Sequence, residues 1–194
     1  MANKSNVRMM FKKKQDDPLL ELLYQPIYDM KATTAGTSQT LKFFRGLSST
    51  GTLLTTNMTT DGMLAFPHAF YAFGISLRVA EGTLLADLQK LYNESYVELQ
   101  ISGKTYLQIP TFRIPSCSGL RGVYETTVTA TTAQSFTNGE ALPTAYFPLN
   151  ILGDPVEINS QQNFQVELKT ENTVAFSAAF NVWIFLEGVY ARPL

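Results

Sequence analysis

Strict alternation of apolar and polar side chains recurs along this chain and restricts it to extended structure more than any other feature. Within residues 68–79, Tyr71, Phe73, Ile75, Leu77 and Val79 fall on one face of an extended segment, and Ala72, Gly74, Ser76 and Arg78 on the other. A period of two over that length marks a strand with one face in a core. Val97, Leu99 and Ile101 alternate in the same way, Ser102-Gly103 supplies a turn, and Thr105, Leu107 and Ile109 alternate on the return, which predicts a hairpin. Phe164, Val166 and Leu168 share a face of another strand. Phe176, Ala178, Phe180, Val182, Ile184 and Leu186 share a face of the last, which is the longest and is expected at the centre of a sheet. Residues 41–45 and the Thr-rich stretches 52–58 and 123–130 read as shorter strands, with Gly46 and Gly51 between the first two. Residues 131–155, with their Pro and Gly, read as a long surface excursion holding short strands and facing a partner or ligand.

The period changes once. Over residues 81–93, Leu84, Leu85, Leu88, Leu91 and Tyr92 recur at helical spacing with Asp87, Gln89 and Lys90 opposite, which predicts one amphipathic helix. In residues 19–30 the leucines would suit a helical turn, but Pro26 forbids continuing it, so either a short helix or an extended cover strand is expected there. Some seven or eight strands, one helix and no alternation of strand with helix imply an all-β antiparallel sandwich or barrel. The first residues differ in composition from the rest. Lys4, Arg8, Lys12, Lys13 and Lys14 come without an acid until Asp16-Asp17-Pro18. Residues 1–18 are therefore expected to be a basic arm and 19–40 an extended or short helical connector.

Catalytic equipment is sparse. The chain is 45% apolar and 16% charged, with a net charge of −1, one histidine and one cysteine. A single cysteine, Cys117, excludes an internal disulfide framework, and it would be a nucleophile only if His68 met it in space. His68 alone excludes a histidine-clustered metal site and reads as a polar residue at a strand end. No G-x-S-x-G elbow, phosphate-binding loop or dinucleotide fingerprint occurs, so neither an enzyme nor a cofactor is expected. Glu98, Glu125, Glu157, Glu167 and Glu187 lie on strand candidates and could form the paired carboxylates of a sandwich glycosidase, although alternation with apolar neighbours equally describes a solvent-facing position. Tyr96, Tyr106 and Trp183, opposite the core, could stack on sugar rings or fill a subunit interface. The five cations of the arm suit salt-sensitive contact with phosphates or anionic headgroups. With no long apolar run and no leader pattern, neither a membrane span nor secretion is expected.

Thr56-Asn57-Met58, Gly62, Phe66-Pro67, the long strand from Phe70 and the ending Leu186-Glu187-Gly188 with Ala191-Arg192-Pro193 together resemble jelly-roll capsid subunits of bacterial viruses. The resemblance covers residues 41–194 and implies an eight-stranded single jelly roll. Its basic arm would reach a neighbouring subunit, the genome or an internal membrane. It further implies a structural virion protein, made in the host cytoplasm, whose partners are copies of itself and other capsid proteins rather than a small-molecule substrate. A carbohydrate- or receptor-binding module is the alternative expectation, and a sandwich glycoside hydrolase a more distant one.

Overall fold

A computed structural model describes residues 20–46, 51–80, 82–115, 122–126, 133–137, 146–149 and 154–193. The arm with Lys4, Arg8, Lys12, Lys13 and Lys14 lies outside the described residues, as do Cys117 and the side chain of Glu125. In chain order come β1 (Leu20–Tyr24), β2 (Ile27–Ala32), β3 (Thr40–Phe43), β4 (Ala69–Val79) and helix α1 (Leu85–Asn93). The hairpin β5 (Ser95–Ile101) and β6 (Lys104–Pro110) follows, then β7 (Gly122–Thr126), β8 (Ala133–Thr137), β9 (Phe147–Pro148), β10 (Val156–Ile158), β11 (Phe164–Thr170) and β12 (Asn181–Pro193). All strand ladders are antiparallel, and the chain is a mostly β, two-sheet sandwich with one helix among the described residues.

The larger sheet runs β1-β12-β4-β10, with β2 also on β12 and β9 also on β4; the second sheet runs β3-β11-β5-β6, and among the described residues β7 and β8 form a pair of their own. Strands β1 and β2 share one column, because β1 pairs with the last residues of β12 and β2 with its first. Between the sheets lies one core, built from Phe70, Ile75, Leu77, Val182, Ile184 and Leu186 on one side and Phe43, Val97, Leu99, Phe164, Val166 and Leu168 on the other. Alternation carries these residues inward, except that in β4 it is interrupted between Ala72 and Gly74.

Several expectations change in detail. Of the two alternatives for residues 19–30 the extended one holds, as two strands, Leu20–Tyr24 and Ile27–Ala32, split at Gln25-Pro26, so the segment expected to be a connector supplies a whole column of the larger sheet. Residues 52–58 are not a strand. Thr55 bonds back to Thr52 through both its amide and its hydroxyl, which closes a turn, and Asn57 then mimics a strand: its Oδ1 accepts from Tyr28 N and its Nδ2 donates to Pro26 O. The free edge of β2 is thereby covered.

In β4 the alternation slips. Glu187 pairs with Gly74 but Gly188 pairs with Ala72, which leaves Phe73 as an extra residue. Phe70 and Ala72 therefore join Ile75 and Leu77 in the core, whereas Phe73, expected on their face, packs with Tyr24 and Tyr146 outside. The final strand begins at Asn181 rather than Phe176, because Phe176 and Phe180 pack edge-on with centroids 5.0 Å apart and the backbone between them folds onto helix α1. There the expectation for Asp87 is also corrected. It is fully buried, not on a solvated face, and its carboxylate accepts from Ser177 N at 2.8 Å and Ala178 N at 3.2 Å. The β5–β6 hairpin turns where expected, with Ser102 (φ 49°) and Gly103 (φ 76°) both left-handed, the conformation that matches a two-residue turn to strand twist, but a register shift opposite Leu99 and Gln100 puts Thr105 on the outer face with Glu98 rather than with Leu107 and Ile109.

Candidate functional site: two outer faces of unlike chemistry

The sandwich turns one wall of each sheet away from the core, and these walls differ. On the smaller sheet, Glu98 and Glu167 are direct cross-strand partners on β5 and β11. Lys169 lies between them, its Nζ 2.7 Å from Glu98 Oε2 and 2.8 Å from Glu167 Oε2, and Lys42 is 3.6 Å from Glu167. Gln100 and Thr105 donate to the other Glu98 oxygen at 2.8 and 2.7 Å, and Gln165 donates to both Gln100 and Glu167. Lys169, then Gln100 and Thr105, hold the Glu98 carboxyl down at about 2, and the two glutamates push the Lys169 ammonium above its ordinary value.

Two carboxylates are thus brought together, as a glycosidase requires, but Glu98 is held ionised and a lysine occupies the gap that a sugar or water would use. The arrangement is a cross-strand charge ladder. Glu157 and Glu187 lie on the other sheet, where Glu157 accepts from Tyr71 Oη at 3.1 Å and Glu187 from Ser76 Oγ at 3.2 Å.

The outer wall of the larger sheet is aromatic. Its cross-strand rows read Met30, Trp183, Arg78 and then Tyr28, Phe185, Ser76. Tyr28 and Phe185 lie 5.5 Å apart, Tyr24 stacks on Phe73 at 5.9 Å, and Phe73 meets Tyr146 at 5.4 Å. The Arg78 guanidinium sits 5.4 Å from the Trp183 ring centroid. At one end the turn closed by Thr52 and Thr55 lies over this wall: Trp183 Nε1 donates to Leu54 O at 3.0 Å and Tyr28 Oη donates to Leu53 O. Both leucine side chains point away, 78% and 84% exposed.

The three aromatics singled out in the sequence do not converge. Trp183 belongs to the larger sheet and holds the leucine turn; Tyr96 and Tyr106 belong to the smaller one, where Lys169 lies 5.8 Å from the Tyr96 ring and Tyr106 is half exposed. Sequence reasoning missed Leu53 and Leu54, since two leucines among threonines read as strand interior.

His68 meets Tyr190, with Nδ1 2.9 Å from the phenol oxygen, at a pocket of about 250 Å³ floored by Ile27, Met58, Met63 and Leu64. Burial raises the Tyr190 hydroxyl above its ordinary value. No group of three or more metal-ligating side chains occurs among the described residues, and no described helix is long and apolar enough to cross a membrane. Comparison with protein-family models, with curated proteins and with solved structures finds no match.

Proposed function

We propose that the chain is a structural virion protein, a jelly-roll subunit that self-assembles into or stabilises an icosahedral phage capsid. The observation that carries this reading is the strand order. With β1 and β2 counted as the first column, β9 and β10 as the sixth, and the separate β7–β8 pair set aside, the larger sheet runs first, eighth, third, sixth and the smaller runs second, seventh, fourth, fifth. Successive columns cross between the sheets except at the β5–β6 hairpin, the winding expected of a double Greek key. A fold does not by itself define a function; further support comes from the outer walls, one a neutralised charge ladder and the other aromatic. On this reading the subunit does no chemistry, Glu98 and Glu167 are structural, and the basic arm contacts genome, lipid or a neighbouring subunit.

Light scattering on the size-exclusion eluate of the full chain, followed by negative-stain imaging, tests the reading. Closed shells, rings or defined oligomers, alone or on addition of other coat proteins, are expected. A chain that remains monomeric at millimolar concentration, alone and in the presence of other coat proteins, overturns it. Removal of residues 1–14 is expected to abolish salt-dependent binding to DNA or to anionic vesicles, and which of the two is lost identifies what the arm meets.

A further inference from the structure

We propose that the pocket beside His68 and Tyr190 binds a small monocarboxylate with an apolar body, a molecule of the size and chemistry of octanoate. The site lies where the first column of the larger sheet divides. Strand β1 ends at Tyr24 opposite Val189 and β2 begins at Ile27 opposite Leu186, so Gln25 and Pro26 leave the ladder, and the pocket opens beside them. Asn57 holds both sides of this gap, donating to Pro26 O at 2.8 Å and accepting from Tyr28 N at 2.9 Å. The His68 and Tyr190 rings that line the pocket lie 5.2 Å apart, and Tyr190 packs in turn on the core ring of Phe70 at 6.4 Å. Backbone pairing and core packing thus set the rim, the condition of a preformed site.

Three properties of the lining select the ligand. The floor is apolar: Ile27 and Leu64 are each 3% exposed, and the unbranched thioethers of Met58 and Met63 beside them adapt to the shape of a guest. Its volume of about 250 Å³ exceeds the voids of a close-packed core and falls just below the roughly 300–1,000 Å³ of drug-sized ligand sites, which selects a smaller molecule.

Arg192 is the one permanently charged side chain of the lining. Its Nε is 2.6 Å from Glu21 Oε2, and Glu21 does not line the pocket. The two Nη groups have no protein partner among the described residues. A guanidinium engaged on one edge keeps donors for a monoanion, whereas a phosphate dianion would meet the repulsion of Glu21.

His68 supplies the third property. Its Nδ1 is taken by Tyr190 Oη at 2.9 Å, while Nε2 has no partner among the described residues and is not sealed among apolar atoms. With the Tyr190 hydroxyl donating to Nδ1, a neutral imidazole carries its proton on Nε2 and offers it to an acceptor. A carboxylate satisfies both the ring N–H and the guanidinium, and its apolar body covers the methionines.

Titration calorimetry at pH 7 with octanoate, 1-octanol and acetate tests the assignment on full-length wild type, Arg192→Gln, Met63→Trp and the smaller-sheet control Lys42→Gln. Circular dichroism checks the folds. His68 is the only histidine, so its carbethoxylation by diethyl pyrocarbonate, read by peptide mass spectrometry, reports occupancy in monomer and assembly alike. Octanoate is expected to bind saturably with a Kd below about 1 mM and to slow modification of His68 at least threefold, with octanol and acetate at least tenfold weaker. Arg192→Gln should weaken octanoate at least fivefold, Met63→Trp should abolish binding, and the control should change it less than twofold. Neither heat nor protection of His68 at about 10 mM octanoate overturns the proposal. So does octanol that binds as well as octanoate, which leaves an apolar void only, and so does octanoate binding that Arg192→Gln leaves unchanged or that does not protect His68, which lies elsewhere. If Met63→Trp fails to fold, Arg192→Gln and the protection of His68 decide. No outcome depends on self-assembly, so the capsid reading stands or falls separately.

Discussion

Glu98 and Asp29 are both carboxylates buried in a β wall, and they respond to pH with opposite sign. Glu98 is held at about 2 against an ordinary 4.5, chiefly by Lys169. Its stabilisation is therefore complete above the unfolded value and is lost as the pH falls from there toward 2. Asp29 is raised above its ordinary 3.8 by burial, which outweighs the Phe44 amide at 2.7 Å and Lys31 at 3.3 Å. What it contributes is present below the unfolded value and disappears as the pH rises through the folded one. Glu98→Gln is thus expected to flatten the acid limb of a plot of urea midpoint against pH below about 4.5, whereas Asp29→Asn removes a loss of stability that wild type shows on going from acid toward neutral pH. Asp87 is a third case, joining helix α1 to the segment before β12. Asp87→Ala leaves the Ser177 and Ala178 amides without their acceptor and is expected to cost about 2–4 kcal/mol in urea denaturation at pH 7.

At the scale of elements, the irregularity between β4 and β12 sets which side chains reach the outer wall. Gly188 is essential to it, because a Cβ there would collide with the Phe70 ring and with the carbonyl of Tyr71, and a backbone carbonyl cannot swing aside. Gly188→Ala is expected to lower stability by about 2–3 kcal/mol, more than Gly74→Ala, whose Cβ would first meet the half-buried Tyr146 ring, a side chain that can turn aside. Thermal melts of both variants check the order. The same region marks where the amino-acid pattern stops being informative. Alternation located β4, β5, β6, β11 and the core of β12, and the Ser102-Gly103 pair located the hairpin turn, because in each case the signal is local. The extra residue Phe73 was invisible, since Tyr71 and Phe73 continue the apolar pattern in sequence although they turn outward in space. Thr52 to Met58 read as a strand because threonine favours strands, while its hydroxyls here close a turn. Glu98 and Glu167 were singled out correctly as glutamates on strands, but their pairing through Lys169 depends on the register of β5 against β11, which no spacing along one chain reveals.

At the scale of the whole molecule, the aromatic outer wall of the larger sheet and the charge ladder of the smaller predict how assembly responds to salt. Raising ionic strength from about 0.1 M to 1 M shortens the Debye length from about 10 Å to 3 Å, which weakens contacts of exposed charges and leaves aromatic and leucine contacts intact. Oligomers measured by light scattering are expected to persist across that range, while binding through the basic arm is lost. The position of β12 has a temporal consequence as well. It is the middle strand of its sheet, and β1 is matched to it as far as Leu20 opposite Pro193. A ribosome emitting roughly 5–20 residues per second releases β1 and β2 some ten to thirty seconds before the strand they must join. Through that interval the first column has no sheet to enter, so the outer wall of the larger sheet does not exist until β12 has been made.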